Sequence, residues 1–360
     1  MNGLSKMEQD QAAATLPADA AALADAADLS SKMFEMISAF KISQVVRAAC
    51  VHQLAEHLDN GLATPARIAA AASLDEDATF RLIRACVSIG LIAHDRDTHT
   101  FAATPLLRTL RADHPASLRS YALAQTGTSH WLPWSRLDES VRTGEPQAEV
   151  TLGFGLWEYF GLFQEEGATF SDAMRAAAVA FDREARQLVD TGQTRTAVDV
   201  GGASGSFIHA LMEANPALCG AVFDRCDVVG AAMSAAFKRG LGNRFCTVAG
   251  DFFTDALPPA DLYLLKLILH DWDDEACLRI LRNCRRSINE GGRLVVAEMI
   301  VGSRADTGFE PLIDLTMMVV LGGRERSADE FHALLAQAGF AVTSVRPTST
   351  RFWLIEANAV

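Results

Sequence analysis

Two stretches of this chain carry residue types whose spacing could do chemistry. The first is Thr196-Ala197-Val198-Asp199-Val200, an apolar run that passes through Gly201-Gly202-Ala203-Ser204-Gly205-Ser206 into the helical pattern Phe207-Ile208-His209-Ala210-Leu211-Met212. A turn with so little side chain lets a ligand approach the backbone. The next apolar run, Cys219-Gly220-Ala221-Val222-Phe223, ends on Asp224, so the pattern is a βαβ unit with an acid at a strand tip. Such a carboxylate suits the hydroxyl pair of a ribose, and no basic residue in the turn is there to meet a phosphate. The dinucleotide fingerprint is absent, because Ala203 and Ser206 occupy the places of its two later glycines. The second stretch runs from Asp261 to Leu269 and ends in His270-Asp271-Trp272-Asp273-Asp274-Glu275. Acids there suit the start of the following helix, and capping is expected for at least two of Asp271, Asp273 and Asp274. His270 is not explained as a cap; at a strand's carboxyl end it can act as a proton acceptor.

The elements that must position these residues follow from periodicity. Strands are expected near 197–200, 219–223, 245–249, 261–269, 293–298, 342–346 and 352–357, with helices between most of them. Only Pro347-Thr348-Ser349-Thr350 separates the last two, which predicts an antiparallel hairpin at the sheet edge. A helix from about Asp274 to Ile288 should end in Arg285-Arg286 and be stopped by Gly291-Gly292. Upstream, apolar residues at helical spacing from Met33 to Leu58 give one or two amphipathic helices. Thr64-Pro65 reads as a capped helix start, Leu74 to Val87 as another helix, and His94 to Phe101 as a β-wing. That is a winged-helix arrangement. Its acidic flank and a wing with one Arg among two Asp and two His favour protein interaction over DNA binding. The organisation expected is a mobile leader over residues 1–27, a winged-helix dimerisation domain over 28–112, a helical connection over 113–190 and a catalytic domain over 191–360.

A chain of 360 residues suits two domains. Its apolar runs are too short to span a bilayer, its N-terminus lacks a signal pattern, and the expected location is the cytoplasm. A net charge of −13 makes a nucleic-acid surface less favourable. Seven scattered cysteines with no C-x-x-C pair suggest reduced thiols and no metal site.

Six motifs in order, Asp199–Gly202, Phe223–Val229, Gly250–Phe253, His270–Glu275, Gly291–Glu298 and Gly322–Ser327, resemble the caffeate-type small-molecule O-methyltransferases, which include bacterial polyketide, carotenoid and phenazine enzymes. The likeness covers nearly everything after residue 30, including Phe170-x-x-Ala173-Met174. It implies a Rossmann-like class I methyltransferase sheet of seven strands with S-adenosyl-L-methionine as cofactor. By that resemblance Asp199, Gly201, Gly202 and Gly205 form the loop along its methionyl part and Asp224 holds the ribose. Asp251 and Phe252 meet the adenine, and Lys266 lies near the adenosine end or else points to the sheet surface. His270 matches the family's base, flanked by Glu298 and Glu325, whose alternative is salt bridging to Arg324 or Arg326. Met174, Met317, Met318 and Leu321 would line the acceptor pocket. Val320 and Leu321 replace a polar amide of plant members, which favours a bacterial aromatic or polyketide-like acceptor over a hydroxycinnamate. Ala203 replaces a glycine and is strained only if its position needs a positive φ.

The leading expectation is a homodimeric O-methyltransferase acting on a hydroxylated aromatic small molecule of bacterial secondary metabolism. The alternatives are carbon or nitrogen methylation, or a non-methylating reaction, on the same scaffold, and, in a different class, a winged-helix regulator that senses a metabolite.

Overall fold

A computed structural model describes residues 18–302 and 308–360, with side chains from residue 28 onward. Residues 1–17 of the expected leader lie outside the described residues, and residues 18–27 belong to the long helix Ala18–Val51. Among the described residues no helix is long and apolar enough to cross a membrane.

The helix Leu54–Asp59 follows, then Pro65–Ala72 and Glu76–Ser88, and then a two-stranded wing of β1 (Ile92–Asp95) and β2 (Thr100–Ala103). The expected cap is in place: Thr64 Oγ1 accepts from Arg67 N with Pro65 in the first turn. The next helix is capped as well, by Asp75, which accepts from Ala78 N. Leu54, Ile68, Ile83, Cys86 and Leu107 bury the inner faces. The outer face of the first helix stays apolar and open: Leu29, Met33, Phe34, Met36, Ile37 and Phe40 are each more than half exposed.

Short helices from Arg119 to Leu162 and the 25-residue helix Gln164–Leu188 lead to the main sheet. Its strands are β3 (Thr196–Val200), β4 (Cys219–Asp224), β5 (Phe245–Ala249), β6 (Ala260–Lys266), β7 (Ile288–Glu298), β8 (Phe340–Pro347) and β9 (Trp353–Ala359), in the order β5-β4-β3-β6-β7-β9-β8. β3 to β7 run parallel, while β9 is antiparallel to both β7 and β8. Val198, Val200, Tyr263, Leu265, Leu294 and Val296 face one apolar layer. Ala197, Leu262, Leu264, Val295 and Ala297 face the other, as expected of strands buried on both sides. The order reverses at β3 and β6, which opens a crevice at their carboxyl ends.

Two details depart from expectation. The helix Asp274–Ser287 ends before the glycines, and Gly291-Gly292 lie inside β7. The pairing there jumps from Ala260↔Ile288 to Leu262↔Arg293, so the glycines accommodate a bulge, with Gly291 at φ 72°. β6 stops at Lys266 rather than continuing to Leu269. Leu267 adopts φ 54°, and the next two N–H groups, of Ile268 and Leu269, donate to Glu298 Oε1 at 3.0 and 2.9 Å. A side chain from the neighbouring strand thus ends the strand, and His270 sits on a single 3₁₀ turn, Leu269–Asp271.

Candidate active site

The glycine loop and the His270 turn meet across the crevice. A Cβ on Gly201 would lie 2.4 Å from Ile268 Cδ1, and one on Gly202 would lie 2.6 Å from Asp199 Cγ, so both positions exclude any side chain. Gly201, Ala203 and Gly205 have φ of 69°, 46° and 71°. Ala203 therefore occupies the left-handed region, which resolves the two readings in favour of strain. Its N–H donates to Asp224 Oδ2 at 2.8 Å, and Arg225 N donates to Oδ1 at 2.7 Å. Burial pushes the Asp224 pKa up, partly offset by these two N–H groups. Each carboxylate oxygen retains a lone pair for a further donor.

Asp199 is buried in β3. Its Oδ2 accepts from Ile208 N at 3.4 Å, whereas Oδ1 has no partner among the described residues. Burial pushes its pKa to about 7 against the pull of Lys266. Lys266 Nζ donates to Asp182 Oδ1 at 2.9 Å and Ser206 Oγ at 3.1 Å, between the rings of Phe181 and Phe207. It binds the long helix to the loop's base instead of pointing to the sheet surface. Asp251 is exposed and its Oδ1 accepts from Phe253 N. Phe252 packs edge-on to Trp272, 3.7 Å from a Cβ built on Gly201. An unpaired buried oxygen, a loop without side chains, a strand-tip carboxylate and a nearby aromatic ring fit a sulfonium nucleoside.

On the opposite side, His270 Nδ1 lies 2.7 Å from Glu325 Oε1 and 3.8 Å from Glu298 Oε2, and Nε2 lies 3.3 Å from Asp271 Oδ1. All four side chains are buried. Burial alone would push the imidazole pKa down, but Glu298, Glu325 and Asp271 together hold it up to about 10. Burial likewise raises Asp271 and Glu298 to about 7, against the pull of His270. The salt-bridge alternative for the two glutamates is not what the fold contains: Arg324 pairs with Glu330 and Arg326 with Asp274. Glu298 spends Oε1 on backbone N–H groups, and Glu325 N donates to Asp314 Oδ1 at 2.8 Å.

Asp271 is the residue that sequence reasoning missed. Of the three acids expected to include at least two caps, only Asp273 accepts from a first-turn N–H, that of Ala276; Asp274 stands in the first turn and pairs with Arg326. The Glu298, Glu325 and His270 donor atoms fall within 4.8 Å of one another, close enough for a cation in principle.

Beside this cluster, Met317–Leu321 forms a π turn ended by Gly322 at φ 79°. A Cβ on Gly323 would meet the His270 carbonyl at 2.0 Å, and Arg324 N donates to that carbonyl at 2.8 Å. Val319, Val320 and Leu321 pack with Leu156, Tyr159, Phe160, Trp157 and Phe170. Met174, Met317 and Met318 are half-buried.

Comparison with known proteins agrees with this geometry. Residues 134–341 match the model of an O-methyltransferase domain, and residues 34–113 that of an O-methyltransferase dimerisation domain. The O-demethylpuromycin-O-methyltransferase of Streptomyces alboniger is 39% identical over 303 residues, covering 81% of this chain and 79% of its own. A phenazine O-methyltransferase of Lysobacter antibioticus is 31% identical over 337 residues, covering 94% of this chain and 98% of its own. An O-methyltransferase from neocarzinostatin biosynthesis, crystallised with S-adenosylmethionine and 2-hydroxy-5-methyl naphthoic acid, superposes with a TM-score of 0.79 at 33% identity, over 89% of this chain and 96% of its own. The chain belongs to the S-adenosylmethionine-dependent O-methyltransferase family.

Proposed function

We propose that this protein methylates a hydroxyl of an aromatic or polyketide-like small molecule, with His270 taking the proton and the cofactor held along Asp199 to Gly205, Asp224, Asp251 and Phe252. The observation that carries this reading is the buried imidazole gripped by Glu325 and overlooked by Glu298, across a crevice from a nucleoside-shaped loop. The bound cofactor supplies an electrophilic methyl group. The protein's part is to aim the acceptor oxygen at it and to relieve that oxygen of its proton.

The raised pKa of His270 matters for that step. A phenol of pKa about 10 facing an ordinary imidazole of about 6.5 must transfer its proton uphill by roughly 5 kcal/mol. An imidazole held up to about 10 takes it at almost no cost. Because the displacement is upward, the imidazole must shed its own proton at higher pH than an ordinary histidine before it can act as the base. Asp271, against Nε2, is positioned to accept from a hydroxyl neighbouring the reacting one and so to keep the acceptor in line. The relatives whose names include phenazine and naphthoate acceptors support a flat ring system, as does the aromatic wall around Phe160 and Phe170.

The exposed apolar face of the first helix, whose Phe34, Met36, Ile37 and Phe40 fall within the dimerisation-domain match, supports a homodimer. The winged helix is read as part of that surface and not as a nucleic-acid reader: Arg81 pairs with Asp77 and Arg84 lies over Phe80. The decisive experiment is mass spectrometry of a pool of phenolic acceptors incubated with the enzyme and methyl-labelled cofactor. An oxygen-methylated product supports the reading; a product labelled on carbon or nitrogen alone contradicts it.

A further inference from the structure

The aromatic wall contains a polar atom that has no partner among the described residues. Trp157 is half-buried, with its ring edge-on to Phe160 at 6.2 Å and to Phe170 at 5.9 Å, yet its Nε1–H is buried and makes no hydrogen bond. Buried indole N–H groups almost always find an acceptor, because an unpaired donor in apolar surroundings costs free energy. Asp199 Oδ1, Glu298 Oε2 and Glu325 Oε2, which are also buried and unpaired among the described residues, are carboxylate oxygens. Trp157 offers the opposite polarity.

Its backbone is fastened to the cofactor side of the crevice. The Trp157 carbonyl accepts from Arg225 Nη1 at 2.5 Å, and the backbone N–H of Arg225 donates to Asp224 Oδ1. On its other flank the same cluster reaches Val319, Val320 and Leu321, in the segment whose Gly323 abuts the His270 carbonyl. Trp157 therefore belongs to the wall between the proposed ribose site and the proposed base.

Charge narrows what that N–H can meet. Glu166 lies at this wall, accepting from Ser129 N and from Tyr159 Oη, each at 2.9 Å, and no Lys or Arg pairs with it among the described residues. His130, stacked on Phe170 at 5.7 Å, is pushed by burial to a pKa of about 4 and stays neutral. Arg225, the cation at this wall, is already committed to the Trp157 carbonyl and to Asp227; with a carboxylate and a neutral imidazole as its other neighbours, no uncommitted positive charge among the described residues faces an anionic substituent, so the matching group is an uncharged oxygen.

We propose that Trp157 Nε1–H donates to a neutral carbonyl oxygen on the acceptor's ring system, so that the enzyme selects aromatic ketones and quinones over plain phenols and over carboxylates. This rests on the O-methyltransferase reading above. The test is calorimetric binding of hydroxytetralone, the matching tetrahydronaphthol and a carboxylated tetrahydronaphthol to the protein saturated with S-adenosylhomocysteine, in wild type and Trp157→Phe. Wild type should bind the ketone at least about tenfold more tightly than either other compound. Trp157→Phe should bind ketone and plain phenol alike, with unchanged S-adenosylhomocysteine affinity and thermal stability. No preference in wild type, tightest binding of the carboxylate, a preference that survives Trp157→Phe, or no binding of any of the three would overturn the proposal. Failure of S-adenosylhomocysteine itself to bind would instead overturn the reading on which it rests. Trp157→His, which retains a ring N–H, provides a second variant should the phenylalanine fail to fold, and it should keep part of the preference.

Discussion

Glu325 Oε1 holds His270 Nδ1 at 2.7 Å, which turns the other ring nitrogen, Nε2, toward Asp271 at 3.3 Å and the crevice. The grip fixes the tautomer: with Nδ1–H donated to the carboxylate, the neutral ring presents a lone pair on Nε2. It also raises the basicity of that nitrogen, because the imidazolium formed on protonation is stabilised by three carboxylates.

The first prediction is a pH profile. Burial opposes the charge of His270 but the carboxylates win, so its pKa is displaced upward, to about 10. A base must first be unprotonated, so kcat/KM for a phenolic acceptor should still be rising with pH well above 6.5, the ordinary imidazole value. Glu325→Gln removes one charge that holds the proton and should shift the rising limb to lower pH. A limb centred at 6.5 in both proteins would contradict this electrostatic reading.

Asp224→Ala should weaken S-adenosylhomocysteine binding by at least about tenfold in calorimetry, since each hydrogen bond to a charged group contributes roughly 1.5–3 kcal/mol. The same substitution frees the N–H groups of Ala203 and Arg225. An unchanged affinity would place the nucleoside elsewhere.

Ala203 sits at φ 46°. Relief of a left-handed alanine gains about 1–2 kcal/mol, and the added freedom of glycine in the unfolded chain takes back about 0.4–1. Ala203→Gly should therefore raise the melting temperature by about 1–3 °C and leave cofactor affinity intact. A fall of several degrees would show that the alanine methyl group packs favourably enough to outweigh its backbone strain.

The apolar face of the first helix provides a further expectation. Phe34 and Ile37 are 68% and 66% exposed in the single chain. Light scattering should give twice the chain mass for the wild type and, if the protein stays soluble, the single-chain mass for a Phe34→Glu, Ile37→Glu double variant. A wild-type monomer would remove the dimer from the account.

Much of this was legible in the residues themselves, for identifiable reasons. Parallel strands buried on both faces read as unbroken apolar runs, so β3, β4, β6 and β7 stand close to where Val198, Val222, Leu264 and Val296 predict them. The glycine loop announces itself because only small residues tolerate the contacts around Gly201 and Gly202, and Asp224 because it ends the apolar run of β4. Illegible were features set by residues distant in sequence. Glu298 terminates β6 from 29 and 30 positions away, which no local pattern at Leu267 records. Asp271 looks like one of several capping acids, and only the fold turns it away from the helix start and against Nε2. Gly291-Gly292 carry a common helix-stop signal, and the bulge that uses them depends on register with Ala260. The unpaired N–H of Trp157 is a fact of packing alone.

The central claim is that His270 removes the acceptor's proton, and the direct measurement is single-turnover methyl transfer by His270→Asn on an acceptor that is protonated at the assay pH. Asparagine keeps similar volume and some hydrogen bonding but cannot take the proton. The chemical step should slow by roughly 10²–10⁴-fold, with S-adenosylhomocysteine binding unchanged and the deficit shrinking for acceptors of lower pKa. Turnover near the wild-type rate on the protonated acceptor would contradict the account and leave catalysis to positioning alone.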